Sequence, residues 1–255
     1  MGLNCGFSSL CVSQDLNTVY NWAKQMQFTS DSMTTLGQAG AKCEYRDKKS
    51  SLKGELERQL IHLFTGIFFI IFIYLTGDNA LWLLLFLLAL YLATSFLILE
   101  NKLPSSLSTF LCRWGRPEKQ NIPLKGTILL VCGIVLSLAL FPREIVYASI
   151  AVVGFGDSVA TIAGVTLGRH KLPYSEQKTV EGTLAGIIAA FIAATVFVTP
   201  VQAFVGSAGG MLLESIVGMQ TIKELNSQTA LRFFLNDNLL IPIFSGLLMV
   251  IVEIS

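Results

Sequence analysis

Charge is scarce in this 255-residue chain. Asp, Glu, Lys and Arg make up 14% of it, whereas 53% is hydrophobic, and mean hydropathy is +0.62. Soluble domains usually carry about 25% charged residues. The shortage, with apolar runs that recur from residue 60 almost to the C-terminus, excludes a soluble enzyme, a nucleic-acid-binding module and a disordered chain. The five cysteines, Cys5, Cys11, Cys43, Cys112 and Cys132, form no CxxC pair and no Cys/His cluster, which argues against a disulfide framework or a zinc site. There is no GxxxxGK[ST] and no GxGxxG, so no phosphate loop of the soluble type is present. The first 54 residues lack the basic start and apolar core of a signal peptide, and MGLNCG lacks the Ser or Thr at position six that a myristoylation signal wants.

What remains is membrane-spanning material. About 20 apolar residues cross a bilayer as a helix, because each backbone group must be hydrogen-bonded within the segment. Seven spans are expected, at about 60–76, 80–99, 125–141, 145–167, 182–199, 201–218 and 238–254, giving an all-α, polytopic integral membrane protein. Tight turns join the first and second (Gly77-Asp78-Asn79), the third and fourth (Phe141 to Glu144) and the fifth and sixth (Thr199-Pro200). With the N-terminus in the cytoplasm, 17 of the 18 Lys and Arg fall inside and only Arg143 falls outside. The positive-inside rule therefore predicts an N-in, C-out topology. Residues 1–54, rich in Ser, Thr, Gln and Asn, read as a poorly ordered polar extension; residues 55–255 form the membrane domain.

Ionisable groups at membrane depth cost about 2.5–3.5 kcal/mol or more, so each one is a functional candidate. Five positions gather toward the cytoplasmic side: His62 at the start of span 1, Asp157 within span 4, Glu181 opening span 5, Glu214 near the end of span 6, and Asp237 with Asn238 opening span 7. Small residues spaced every four positions (Gly156, Ala160, Gly164, Gly168; then Gly182, Gly186, Ala190; then Gly206, Gly210, Glu214, Gly218) predict close helix contacts. Gly154 and Gly156 flank Phe155 just before Asp157 and weaken the helix there. The loop from Gly168 to Gly182 offers Arg169, Lys171 and Lys178, a hydroxyl and a helix N-terminus, the ingredients of an anion site. Carboxylates beside it would bind Mg²⁺ bridging a polyphosphate.

Three blocks resemble one family. Gly156-Asp157-Ser158-Val159-Ala160, Gly164, Gly168-Arg169-His170-Lys171-Leu172-Pro173 and Lys178-Thr179-Val180-Glu181-Gly182 are similar to the GDxxAxxxGxxxGRxKxP…KTxEG block of dolichol kinases, phytol kinases and CTP-dependent diacylglycerol kinases. Arg58 to Gly66 resembles their R(K/R)xxHxxxG opening, except for Gln59 where a base is usual. Asp237-Asn238-Leu239-Leu240-Ile241-Pro242 resembles their DNxxxP close. Phosphatidate cytidylyltransferases share the central block but close differently. The resemblance implies CTP-dependent phosphorylation of a polyprenol- or dolichol-type lipid alcohol at the cytoplasmic face, with Mg²⁺ or Mn²⁺. It implies that Asp157, Glu181 and Asp237 are catalytic and metal-binding. Arg169, Lys171, Lys178, Thr179 and Asn238 would hold the nucleotide, with His62 and Glu214 as further site residues. The host membrane would be the plasma membrane in a prokaryote or an ER-type membrane in a eukaryote.

Plainer readings stand beside these. Asp157 can be a hydrogen-bonding carboxylate between helices, Lys171 and Lys178 ordinary inside charges, and Glu181 a first-turn acid favoured by the helix dipole. Asp237 and Asn238 can be a helix cap, Glu214 a packing partner, and His62 a neutral residue bonded across an interface. Among functions, a CDP-lipid synthase is the nearest alternative to a kinase. A transporter is the alternative from another class, though its charges would line a path rather than gather at one leaflet.

Overall fold

Apolar runs that must satisfy their own backbone favour helices, and a computed structural model of the protein is built almost wholly of them. It describes residues 52–100, 102–104, 107, 111, 124–217 and 236–254. Nearly all of the polar extension, and the connections carrying Arg113, Arg116, Lys119, Gly218, Lys223 and Arg232, lie outside the described residues.

The chain runs through helix α1 (Leu52–Thr76), a 3₁₀ turn (Gly77–Asn79) and helix α2 (Ala80–Leu99). Helix α3 (Lys125–Leu140) is followed by α4 (Arg143–Ala151), a π-helical turn (Val152–Asp157) and α5 (Ser158–Leu167). Two short strands, β1 (Lys171–Leu172) and β2 (Ser175–Thr179), lead into α6 (Val180–Ala194), α7 (Pro200–Val217) and α8 (Asp237–Ile254). The expected turns are where the chain reverses. Gly77 sits at a φ of +55°, where a residue without Cβ turns at no steric cost. The hairpin is a departure from the all-α expectation: the stretch read as a loop pairs antiparallel, Lys171 opposite Thr179 and Leu172 opposite Ser175.

Helices occupy all seven expected segments, but their lengths differ from the expectation. Four segments are long and apolar enough to cross a membrane: Gly54–Leu99, Arg143–Leu167, Pro200–Val217 and Asp237–Ile254. The first holds both α1 and α2. Lys125–Leu140 and Val180–Ala194 are apolar but shorter, 16 and 15 residues, and 15 residues reach only about 22 Å along a helix axis. The fifth segment stops at Ala194 because a β-branched run precedes Pro200, and the residue before a proline is driven out of the α region.

Small residues decide how these helices meet. Gly156, Ala160 and Gly164 run down one edge of the π turn and α5, and Ala190, Gly186 and Gly182 run the opposite way along α6. A Cβ at Gly156 would meet Ala190, one at Gly186 would meet Ala160, and one at Gly182 would press on the backbone of Ala160 and Gly164. Two antiparallel backbones thus touch along a seam only small residues permit. Gly66 of α1 and Gly154 of the π turn make a second such contact. Helix α7 packs on α8, α6 and the π turn, while α8 packs on α3 and α4. The core gathers Phe69, Ile73, Ile134, Ile150, Met211 and Met249. The outer faces of α1 and α2 carry exposed Phe64, Phe68, Trp82 and Phe86.

Candidate active site

Asp157 ends the π turn. A π turn fits one extra residue into a helix and recurs at functional sites; here two glycines supply the freedom it needs. The result aims the Asp157 carboxylate at α1. His62 Nε2 lies 3.6 Å from Asp157 Oδ2, with the two side chains 18% and 15% exposed. That separation is too long for a hydrogen bond, and His62 Nε2 is buried with no hydrogen-bond partner. Thr161 Oγ1, one turn along, stands 3.5 Å from Asp157 Oδ1. Asp157 is only partly buried, so its carboxylate keeps lone pairs open to a ligand, whereas the ring nitrogen facing it is buried and unpartnered.

Their mutual position is braced from behind. Ser158 donates from its hydroxyl to the carbonyl of Gln59 at 3.1 Å, tying α5 to the turn of α1 that precedes His62. Gln59, where the resembled family has a base, is 3% exposed and donates to Glu55 at 3.2 Å. Arg58 also pairs with Glu55. Gln59, Thr161 and the bracing by Ser158 were not singled out as site features from the sequence. The only signal was their place one turn from His62 or Asp157.

The hairpin and the start of α6 form a second group. Thr179 caps α6, its Oγ1 accepting from Gly182 N at 3.2 Å. Glu181 holds His170 twice: its carboxylate accepts from the His170 backbone N–H at 3.2 Å and lies 2.6 Å from His170 Nδ1. Val180 N donates to His170 O at 2.9 Å. The His170 side chain, followed by the backbone N–H groups of Glu181 itself, His170 and Arg169, lowers the Glu181 pKa to about 2. Arg169 and Lys171 are exposed on the same stretch.

Lys178 behaves differently from its two neighbours. It reaches α7 and pairs with Glu214. Beside that pair, Tyr174 and Ser215 lie within hydrogen-bond distance at 2.9 Å; the Ser215 hydroxyl already donates to Leu212 O at 2.7 Å, so Tyr174 is the donor. Asp237 and Asn238 open α8. The Asn238 N–H lies 2.9 Å from Asp237 Oδ1 and 3.0 Å from Asn236 Oδ1. The Asn238 side-chain amide donates to Gly126 O at 3.2 Å, stapling α8 to the start of α3.

The predicted polar residues therefore fall into three separate groups, each with its own partners: Asp157 with His62, the hairpin with Glu181 and Glu214, and Asn238 with Gly126. Among the described residues no hydrogen bond or ion pair links one group to another, and no three His, Cys, Asp or Glu side chains gather as a metal-binding set. The chemistry of Asp157 still suits an ion shared with a substrate, because Mg²⁺ commonly takes one or two carboxylates and completes its shell with phosphate oxygens and water.

Comparison with known proteins finds lipid-alcohol kinases among those the chain is similar to. Probable phytol kinase 2, chloroplastic, of Oryza sativa subsp. japonica is 26% identical over 210 residues, covering 78% of this chain and 67% of the rice protein. Phytol kinase 1, chloroplastic, of Arabidopsis thaliana is 28% identical over 152 residues, covering 56% and 48%. Mouse dolichol kinase is 30% identical over 161 residues, covering 57% of this chain and 28% of the mouse protein. The chain is a relative of the phytol and dolichol kinases. It spans two thirds of the rice kinase, about half of the Arabidopsis kinase and little more than a quarter of the mouse kinase. No family profile matches the chain, and no solved structure matches it. The resemblance drawn from the three sequence blocks thus agrees with the kinases the chain is similar to.

Proposed function

We propose that the protein is an integral membrane kinase that moves the γ-phosphoryl group of CTP onto a lipid alcohol of the polyprenol or dolichol type, at the cytoplasmic face. The facing pair of Asp157 and His62 carries this reading. A partly buried carboxylate facing a buried, unpartnered ring nitrogen suits a hydroxyl arriving sideways from the bilayer, and the relatives are kinases whose names specify such alcohols.

The alcohol oxygen attacks the γ-phosphorus as the bond to the β–γ bridging oxygen breaks and CDP departs with that electron pair. Asp157 accepts the hydroxyl proton on one carboxylate oxygen, and His62 faces that carboxylate across 3.6 Å. Arg169 and Lys171 offer exposed cations to the triphosphate, and Lys178 offers the N–H donors that Glu214 does not use. Thr179 and Glu181 hold the loop in shape through the α6 cap and His170. Asp157 would be the residue to hold a Mg²⁺ or Mn²⁺ ion, which would supply charge neutralisation. Phosphoryl transfer needs little beyond positioning, neutralisation and one base, and these residues supply those functions.

Labelled nucleotide tests the reaction. Membranes holding the protein, given dolichol and γ-labelled CTP, transfer label to the lipid, whereas α-labelled CTP transfers none. Asp157→Asn keeps the shape of the side chain and lowers the rate by about 10²- to 10⁴-fold, the usual contribution of a positioned base. Label from the α position in the lipid would instead establish a CDP-lipid synthase.

A further inference from the structure

Glu214 is the one charged side chain among the described residues that is fully buried, at 2% exposure. Its Oε1 is met by Lys178; its Oε2 is buried with no partner. A half-satisfied buried carboxylate is costly, and an apolar residue in its place would pack at least as well. Glu214 is the one charged residue of α7, set beside Ser215 among apolar Met211, Leu213 and Val217, so the acid stands out from its own helix.

The other end of the pair explains its presence. Lys178 is the last strand residue before Thr179, the cap of α6, and its side chain is 27% exposed. An ammonium has three N–H donors. One is spent on Glu214, which leaves the others for the solvent side. A free lysine samples many rotamers, and ordering it costs conformational entropy; here that ordering is already in place. Tyr174 adds a second tie between the same hairpin and the next residue of α7, at 2.9 Å to Ser215.

We infer that Glu214 is a positioning residue: it pins Lys178 beside the start of α6, so that the remaining ammonium donors stand ready for a triphosphate chain. The inference rests on the kinase reading for the identity of its ligand, but it concerns anion binding and not transfer. Glu214 touches no reacting atom. It acts through Lys178.

A double-mutant cycle on the full chain in lipid nanodiscs tests this, with binding of labelled CTP and of inorganic tripolyphosphate as the readouts. Glu214→Gln keeps volume and an acceptor but removes the charge, and it weakens binding of both probes about tenfold, while KM for the lipid alcohol stays the same. Lys178→Gln weakens binding by at least as much. Adding Glu214→Gln to Lys178→Gln produces no further loss, because the lysine through which Glu214 acts is gone. Unchanged binding in Glu214→Gln overturns the inference, as does a loss that persists undiminished on the Lys178→Gln background or a parallel rise in KM for the alcohol. Thermal unfolding of each variant identifies one that has simply failed to fold, and Glu214→Asp then replaces Glu214→Gln in the cycle. Failure of the kinase reading looks different: the wild-type chain binds tripolyphosphate, and the cycle holds, but no alcohol is phosphorylated.

Discussion

At the scale of single residues, the site is governed by which polar groups are satisfied and which are not. Glu181 is fully engaged, Glu214 half engaged, and Asp157 barely engaged. Under the proposed kinase reading, reactivity lies at the last of these, since a carboxylate with spare lone pairs can take a proton or an ion. Glu181 is the opposite case, and its pKa of about 2, below the ordinary 4.5, has a measurable consequence. A depressed carboxylate pKa stabilises the folded arrangement above the unfolded value and loses that support as pH falls through the folded value. Docking of the His170 loop on α6 is therefore intact above pH 4.5 and released progressively down to about pH 2. Hydrogen exchange at the His170 amide, followed across that range, speeds up as pH drops relative to the intrinsic rate, and Glu181→Gln removes the dependence. Single residues also mark where the sequence was hard to read. Asp157, Glu181 and Asn238 stood out by block and by depth. Glu214 stood out by depth too, but its pairing with Lys178 did not, because 36 residues separate the two and no spacing rule reaches across two helices and a turn. His170 likewise drew little notice: an exposed loop histidine looks like any other until its backbone N–H is seen bound to a helix acid.

At the scale of elements, the seam between α5 and α6 is the joint on which the site depends. It holds Asp157 at one end and Thr179 near the other, with Gly164 and Gly182 between. A Cβ at Gly182 would stand 2.7 Å from the Ala160 carbonyl oxygen and 2.9 Å from the Gly164 Cα, contacts that backbone cannot yield cheaply. Gly182→Val is expected to destabilise the protein by about 1–3 kcal/mol, the ordinary range for forced overpacking. Thermal unfolding in detergent checks it, with Gly54→Val, where no neighbour lies within 4 Å, as the control. The four-residue spacing of small side chains made this joint legible beforehand, because helix geometry alone puts such residues on one face. The hairpin was not legible. Lys171 to Thr179 is polar and short, shows no clean alternation, and owes its pairing to tertiary support from α6 and α7, which pattern does not encode.

At the scale of the molecule, apolar length set the number and order of helices, and each expected segment holds one. The ends of α3 and α6 fall short because local turn chemistry overrides hydropathy there. Orientation follows from charge alone and is open to direct test. Asp78, 98% exposed in its side chain, and the Arg143 paired with it stand at the connections expected outside, and Lys171 at one expected inside. Single-cysteine chains carrying Asp78→Cys or Lys171→Cys, with the native cysteines replaced, are exposed to a membrane-impermeant thiol reagent in sealed cells. The N-in arrangement requires labelling of the first and protection of the second; the reverse pattern inverts the topology.

The wide turn at Val152–Asp157 also makes one stretch of the chain tolerant of shortening. An ordinary helix advances about 100° per residue, and the extra residue absorbed there lets α4 keep its register with α3 and α8 while α5 keeps its own with α6. A chain one residue shorter between 152 and 157 relaxes to a plain helix with both faces still correctly aimed. The same loss anywhere else between 143 and 167 swings one half of the rod away from its neighbours.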